Sequence, residues 1–216
     1  MSGLTRTIAL VGMMGAGKSS VGKRLAAALN VPFCDADAEI EKAAGCTINE
    51  IFSRFGEPAF RDGERKVITR LLSEPPHVLA TGGGAFIDPE LRRHIKADAF
   101  SVWISVPLDV LWERVKRRDT RPLLKRDNPR EVLAELLAER EPIYAEADMK
   151  IESREGPHSA AVKRIVDALA ERGLLTGAKS SPWDLARAAT TSMSARAQSR
   201  MQVRCSSRLH AARCPW

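Results

Sequence analysis

The chain has 216 residues, of which 44% are hydrophobic and 28% are charged. These values are typical of globular proteins, so they argue against a disordered chain and against a membrane-embedded one. The length suits one domain with a sizeable core.

The net charge of +7 has its origin at the C-terminal end of the chain. From Gly177 onward there are 7 Lys or Arg and 1 acid, which leaves 27 basic against 26 acidic residues in 1–176. A nearly neutral body offers no broad basic face, so we expect no nucleic-acid partner. Residues 177–216 are rich in Ser, Ala and Arg with weak apolar periodicity, which predicts a basic, disordered tail. A weak amphipathic helix around residues 183–189 is the alternative.

The N-terminal apolar stretch, residues 7–11, is too short for a signal peptide core or a transmembrane span. We therefore expect a cytoplasmic protein without a membrane partner. The four cysteines show no paired spacing, so the sequence predicts neither a zinc site nor a disulfide framework.

The first half of the chain alternates short apolar stretches with helical patterns. The predicted strands cover residues 7–11, 32–34 and 77–80. The predicted helices cover residues 18–29, 48–55 and a longer stretch that ends at 72. A capping box, Thr47-x-x-Glu50, opens the second of these helices.

The second half continues the same alternation. Asp88-Pro89 and Asn128-Pro129 each offer a cap residue followed by Pro, so a helix is predicted to begin at each Pro. The remaining predicted elements are strands over 100–106 and 149–151, a helix over about 108–116 and a last helix that ends near 172.

Five short strands that alternate with helices predict a parallel sheet with right-handed crossovers. The fold class is therefore α/β, a three-layer α/β/α domain over residues 1–176 with a five-stranded parallel sheet. In such domains ligands bind beyond the C-terminal ends of the strands.

Gly12 to Ser19 matches G-x-x-x-x-G-K-[ST] between a predicted strand and a predicted helix. Glycines let backbone N–H groups converge on phosphate oxygens, and the helix N-terminus adds positive potential. Lys18 is then expected to reach the β- and γ-phosphates, and the Ser19 hydroxyl to bind Mg²⁺. The motif predicts nucleotide binding but does not distinguish a kinase from a GTPase or a motor.

Asp35 and Asp37 follow the second strand, where an extended backbone would place both carboxylates on one side. One carboxylate can face the metal, and the other can orient an acceptor hydroxyl and take its proton. A helix N-cap pair is the alternative interpretation.

The chain resembles the shikimate kinase family over residues 5–172, on six motifs that occur in the family's order. They are the Walker loop with its paired methionines, Asp35-Ala36-Asp37, Phe60-Arg61-Asp62-Gly63-Glu64, Thr81-Gly82-Gly83-Gly84-Ala85, Arg121-Pro122-Leu123-Leu124 and Glu139-Arg140-Glu141-Pro142-Ile143-Tyr144. The resemblance implies a P-loop kinase with a mobile lid over about 117–128. It also implies phosphorylation of the 3-hydroxyl of shikimate by ATP, a step of chorismate and aromatic amino-acid biosynthesis, by a protein that we expect to be a monomer.

The resemblance also assigns roles to residues of this chain. ATP contacts are expected from Gly15, Ala16, Gly17, Lys18, Ser19, Ser20, Arg114, Arg121 and Pro157. Shikimate contacts are expected from Asp37, Arg61, Gly82, Gly83, Gly84 and Arg140. The expected Mg²⁺ ligands are Ser19 and Asp35, the latter through water, and the expected catalytic groups are Lys18, Asp37 and Arg121.

Physical chemistry supports several of these roles. Guanidinium groups bind a planar carboxylate through two parallel hydrogen bonds, which suits Arg61 and Arg140. Three glycines after a strand leave no side chain between backbone and ligand. A lid that carries Arg121 would exclude water and place a cation against the transferred group. The plainer alternatives are a solvated helix arginine at Arg61, a simple turn at the glycines and a solvated charge run in place of the lid.

Two other functions stay open at this point. A gluconate or nucleoside monophosphate kinase belongs to the same class, and gluconate is also a carboxylated polyol. A nucleotide-dependent switch or nucleic-acid-binding module that uses the basic tail belongs to a different class.

Overall fold

The computed structural model describes residues 3–116, 128–153 and 158–176. The predicted tail over 177–216, nearly all of the predicted lid with Arg121, and Pro157 lie outside the described residues.

The described chain contains seven strands, which form two sheets. The strands are β1 (Gly3–Leu4), β2 (Thr7–Val11), β3 (Phe33–Asp35), β4 (Val78–Ala80), β5 (Ala99–Ser105), β6 (Met149–Glu152) and β7 (Leu175–Thr176). The main sheet is parallel with the order β3-β4-β2-β5-β6, and β1 pairs antiparallel with β7. The predicted five-stranded parallel sheet is therefore confirmed.

Seven helices connect these strands. They are α1 (Lys18–Leu29), α2 (Ala36–Ala44), α3 (Ile48–Leu72), α4 (Pro89–Asp98), α5 (Leu108–Lys116), α6 (Pro129–Tyr144) and α7 (His158–Glu171). Right-handed crossovers place α1 and α7 on one face of the sheet and α3 and α4 on the other. The packing agrees, because α1 contacts α7 and α3 contacts α4. The result is the predicted three-layer domain.

The core lies around β2, the central strand. All five residues of β2 are buried, as expected for a strand with helices on both faces. Ile8 is paired with Val78 of β4 on one side and with Phe100 of β5 on the other. Because β2 is the middle strand, the loop that follows Val11 leaves the sheet at the centre of its C-terminal edge.

Three local features differ from the sequence expectations. Helix α2 was not predicted, because Ala36 and Ile40 are its buried residues and so small an apolar face gives a weak periodic signal. The β1–β7 pair has two residues in each strand, too few for a strand pattern. Helix α6 begins at Pro129 as predicted, but Asn128 does not cap it: its φ is 52° and its side chain makes no cap hydrogen bond.

Two of the predicted helix caps are present, at Thr47 and at Asp88. Thr47 and Glu50 form the reciprocal capping box at the start of α3, and a kink at Gly56 divides this helix close to the predicted boundary.

Among the described residues, no helix combines the length and the apolar character that a membrane span needs.

Asp88 holds the start of α4 through a dense set of hydrogen bonds. Its Oδ1 accepts from the backbone N–H of Glu90 and of Leu91 at 2.9 and 3.0 Å, and its Oδ2 accepts from Arg65 at 2.8 Å. Burial alone would raise the pKa of Asp88, but the Leu91 N–H and the Arg65 guanidinium lower it below its ordinary value.

We expect Asp88→Ala to lower the free energy of unfolding by about 1 to 2 kcal/mol at neutral pH, because the helix loses its cap. The lowered pKa means that the ionised carboxylate stabilises the fold above the ordinary Asp pKa of about 3.9. This stabilisation is lost as the pH falls through the folded-state pKa. Urea unfolding at neutral and at acid pH measures both effects. Asp98→Ala, at the exposed other end of α4, is the control and should leave stability unchanged. A deficit of Asp88→Ala that stayed constant into acid pH would contradict the electrostatic part.

Candidate active site

Gly12 to Ser19, called the nucleotide loop from here on, connects β2 to α1. Gly12, Gly15 and Gly17 have φ values of 133°, 80° and 94°, in the region that residues with a Cβ rarely adopt. A Cβ on Gly12 would also lie 2.7 Å from the carbonyl oxygen of Ile104 in β5. The backbone course of the loop therefore depends on these glycines.

Lys18 points back into the nucleotide loop. Its ammonium donates to the carbonyl oxygens of Gly12 and Met13 at 2.7 and 3.0 Å, and the residue is only 9% exposed. These bonds hold the positive charge at the inner side of the loop, where the predicted phosphate contacts would form.

Ser19 and Asp35 meet at the same edge of the sheet. The Ser19 hydroxyl donates to Asp35 Oδ2 at 2.6 Å, although 16 residues separate them in the chain. Asp35 Oδ1 accepts from the backbone N–H of Asp37 and caps α2. Two hard oxygen donors are thus adjacent beside the phosphate-binding loop, and Mg²⁺ prefers such ligands.

The reasoning that placed Asp35 and Asp37 on one side of a strand was wrong. Asp37 is the second residue of α2, so the backbone is not extended there. The N-cap interpretation is correct for Asp35. Asp37 is nevertheless exposed at the C-terminal edge of the sheet, and its Oδ1 lies close to Gly82, which follows β4.

Gly82 to Gly84, called the glycine triplet, follows β4. Because β4 lies between β3 and β2, the triplet lies between the β3–α2 connection and the nucleotide loop. A Cβ on Gly82 would be 2.7 Å from Glu64 Oε1 and 3.1 Å from Asp37 Oδ1. A Cβ on Gly83 would be 3.2 Å from the backbone nitrogen of Met14. The triplet therefore contacts the carboxylates on one side and the nucleotide loop on the other.

Arg61 reaches the glycine triplet from α3. Its guanidinium lies so close to Gly84 that no side chain fits between them. Nη1 donates to Glu64 Oε2 at 2.7 Å, and Nη2 donates to Glu57 Oε1 at 3.0 Å. Arg61 is thus a half-buried guanidinium held by two carboxylates beside the glycine triplet, rather than a freely solvated one.

Glu64 is a buried carboxylate in the middle of this group. It is 1% exposed, and its Oε1 has no hydrogen-bond partner. Burial raises the pKa of Glu64, and the ion pair with Arg61 offsets only part of this effect. The nearby charge of Asp37 raises the pKa of Glu64 further.

Arg140 and Tyr144 approach from α6, one helical turn apart. The Tyr144 hydroxyl donates to the carbonyl oxygen of Gly83. Burial raises the pKa of Tyr144 to about 12, although the positive charge of Arg140, a hydrogen bond from Arg140 and the positive charge of Arg61 act to lower it. Both arginines therefore act on one point beside the glycine triplet.

Of the remaining predicted residues, Arg114 also lies at the nucleotide loop. It donates to the carbonyl oxygen of Ala16 at 3.3 Å. Ser20 follows Ser19 in the first turn of α1 and is exposed. Arg121 and Pro157 lie outside the described residues. A cavity of about 560 Å³ between β5, β6, α5 and α6 is lined by none of the predicted site residues.

Sequence reasoning assigned no role to two residues of this site, Glu64 and Tyr144. Each lies in a motif that was recognised, and each is three or four residues after an arginine in the same helix. That spacing places both members of a pair on one helix face, which was the available signal. Their contacts with the glycine triplet join distant parts of the chain, so spacing alone could not reveal them.

The described geometry has a clear chemical meaning. A phosphate-binding loop with a buried lysine, an exposed carboxylate and two arginines share one rim of the sheet. This set suits phosphoryl transfer from a nucleotide to a small anionic acceptor whose hydroxyl faces Asp37.

Comparison with known proteins agrees with this chemistry. A family model described as shikimate kinase matches residues 14–170. The shikimate kinase of Caulobacter vibrioides is 57% identical over 164 residues, which are 76% of this chain and 82% of that relative. The shikimate kinase of Paramagnetospirillum magneticum is 58% identical over 164 residues, covering 76% of this chain and 84% of that relative.

Solved structures give the same result. Shikimate kinase from Acinetobacter baumannii, in complex with shikimate, has a TM-score of 0.75 and 39% identity, covering 78% of this chain and 95% of that one. Shikimate kinase from Aquifex aeolicus has a TM-score of 0.70 and 38% identity, covering 78% of this chain and 98% of that one.

We expect Gly12→Ala to lower the free energy of unfolding by about 1 to 3 kcal/mol, because it combines an unfavourable φ with a backbone clash. We also expect it to abolish ADP binding, since the loop must shift. Gly173→Ala is the matched control, because Gly173 has a φ of 66° but nothing within 4 Å of an added Cβ. The control should lower the free energy of unfolding through backbone strain and leave ADP binding normal. Urea unfolding and ADP titration separate the two effects, and normal ADP affinity in Gly12→Ala would contradict the assigned loop geometry.

Proposed function

The chain belongs to the shikimate kinase family, and we propose from this premise that it transfers the γ-phosphoryl group of ATP to the 3-hydroxyl of shikimate, giving 3-phosphoshikimate and ADP. The contact between Gly83 and the nucleotide loop at Met14 carries this proposal. It means that a molecule bound on the glycine triplet lies directly beside the phosphates of a bound nucleotide. In-line transfer requires this adjacency.

On the nucleotide side, we propose that Gly15 to Ser20 bind the phosphates of ATP. Phosphoryl transfer depends mainly on positioning and on charge stabilisation. Lys18 already has its charge within the loop, bonded to the carbonyls of Gly12 and Met13. A small rotation can move it from these carbonyls to phosphate oxygens. Arg114, at the carbonyl of Ala16, is proposed to flank the nucleotide.

Ser19 and Asp35 are the proposed Mg²⁺ site. Magnesium in such enzymes uses few protein oxygens, together with water and substrate phosphates, and it neutralises charge on the phosphates. The Ser19 hydroxyl and the Asp35 carboxylate offer two such oxygens 2.6 Å apart.

On the acceptor side, we propose that Arg61 and Arg140 bind the shikimate carboxylate. Arg61 has one buried partner, Glu64, and one exposed partner, Glu57, whose side chain is 63% exposed. An incoming carboxylate can replace Glu57 on Nη2, while Glu64 keeps Nη1 and with it the orientation of the guanidinium plane. A carboxylate that binds there brings the ring onto the glycine triplet.

Asp37 is the proposed base. It is exposed beside the triplet, so it can accept a hydrogen bond from a ring hydroxyl and take the proton during transfer. Arg121 is proposed, by family resemblance alone, to stabilise the transferred group. The monomeric state, the cytoplasmic location and the separate tail over 177–216 stay predictions.

An ADP-release assay with shikimate, gluconate and nucleoside monophosphates side by side tests the proposal. Shikimate should be turned over and the others should not, and phosphorus NMR of the product should place the phosphate on the 3-hydroxyl. Faster turnover of gluconate would support the other small-molecule kinase. Salt-sensitive RNA or DNA binding that is lost on deletion of 177–216, without small-molecule turnover, would support the nucleic-acid alternative.

We expect Asp37→Asn to lower kcat by about 100-fold or more with little change in ADP affinity, because the amide cannot take the proton. Steady-state kinetics and ADP titration measure the two quantities. Asp62→Asn is the control, since the Asp62 side chain on α3 is half-exposed and pairs with Lys66. An equal loss of turnover and nucleotide affinity in Asp37→Asn would indicate a structural or metal-binding role instead.

We expect Arg140→Lys to raise the KM for shikimate by about 10-fold, because an ammonium cannot reproduce the two parallel bonds of a guanidinium. The KM for ATP should not change. Arg130→Lys on the same helix is the control, because Arg130 pairs with the exposed Asp109. Normal saturation by shikimate in Arg140→Lys would remove Arg140 from the carboxylate site.

A further inference from the structure

Tyr144 is the single tyrosine of the chain, and its side chain is completely buried at the end of α6. A buried phenol needs a partner for its hydroxyl. It finds one in the carbonyl oxygen of Gly83, which lies 61 residues away in the sequence. The Sδ atom of Met13, in the nucleotide loop, lies 3.9 Å from the same hydroxyl oxygen. The hydroxyl therefore lies where the glycine triplet and the nucleotide loop meet.

The bond to Gly83 differs from the other bonds of the triplet. The carbonyls of Gly82 and Gly84 accept from Ala85 and Ile87 in the same turn. These local bonds shape the turn but do not attach it to the rest of the protein. The Tyr144 hydroxyl, in contrast, attaches the turn to the end of α6, a helix that packs against α5.

The ring of Tyr144 is held from the other side as well. It stacks on Trp103 of β5, with the ring centroids 6.1 Å apart. Trp103 Cδ1 in turn lies 3.2 Å from the position that a Cβ on Gly12 would occupy. One buried aromatic pair thus supports both the nucleotide loop and the glycine triplet.

We propose that the Tyr144 hydroxyl is a positioning group that fixes the glycine triplet against the nucleotide loop and so sets the acceptor hydroxyl relative to the γ-phosphate. This inference rests on the proposed function. Tyr144 is not a catalytic residue, because it acts through the Gly83 carbonyl. The raised pKa keeps the hydroxyl protonated, and therefore a donor, at every pH at which the enzyme would work.

Tyr144→Phe tests the proposal, because it removes the hydroxyl and keeps the ring on Trp103. We expect kcat/KM for shikimate to fall by about 10- to 100-fold through both a lower kcat and a higher KM for shikimate, since small misplacements of reacting groups are costly. ADP affinity should not change. Ser101→Ala is the matched control, because Ser101 is a fully buried hydroxyl that donates to Asp148 away from the rim.

A purely structural role would give a different result. Tyr144→Phe would then behave like Ser101→Ala, with both KM values normal and any loss of kcat equal to the loss of folded protein. That result would overturn the inference and leave the proposed function intact. If the wild-type protein did not phosphorylate shikimate, the proposed function itself would fail.

A second measurement does not depend on the phenylalanine variant. Because the chain has one tyrosine, growth with 3-fluorotyrosine places a single fluorine beside the Tyr144 hydroxyl. We expect its NMR signal to shift on addition of shikimate and, separately, of ADP. A fluorine chemical shift that did not change on addition of shikimate would overturn the inference.

Discussion

The site depends on the close approach of two backbones, the glycine triplet and the nucleotide loop. Gly83 lies so near Met14 that a single methyl group would be 3.2 Å from its nitrogen. The sheet order makes this approach possible, because β4 and β2 are neighbours and both loops leave the same edge. Two ligands held by these loops must share that narrow space. A kinase gains the exclusion of water and a fixed attack distance from such an arrangement.

Acidic and basic side chains lie close together beside the glycine triplet, and their arrangement suits the proposed substrate. Glu64 is buried with one oxygen that has no hydrogen-bond partner, and Asp37 lies on the same side of Gly82, because a Cβ on Gly82 would be 2.7 Å from Glu64 Oε1 and 3.1 Å from Asp37 Oδ1. Burial raises the pKa of Glu64, and the charge of Asp37 raises it further. Arg61 forms an ion pair with Glu64. The proposed substrate has hydroxyl groups for Asp37 and a carboxylate for the arginines, so its polar groups match this arrangement of charges.

Most strands and helices were predicted correctly from the sequence, because their signals lie in residues that are adjacent in the chain. Strand β2, the nucleotide loop and α1 are adjacent in the chain, so composition and spacing determine them together. The same holds for the Thr47 capping box and the Asp88 cap. Helix α2 was not predicted, because its apolar face is small. The cap prediction for Asn128 was wrong, because this residue has a left-handed backbone and its side chain makes no hydrogen bond to the start of α6. The roles of Glu64 and Tyr144 are tertiary, since each depends on a glycine more than 15 residues away in sequence.

The short β1–β7 pair brings Gly3 and Thr176 together. Gly3 is hydrogen-bonded to Thr176 in both directions, and β1 leads into the amino end of β2, opposite the edge that carries the glycine loops. Thr176 therefore lies at the edge of the main sheet opposite the glycine triplet and the nucleotide loop. A short linker between residues 3 and 176 would join the ends of this segment with little rearrangement, so residues 3–176 are a candidate for circular permutation.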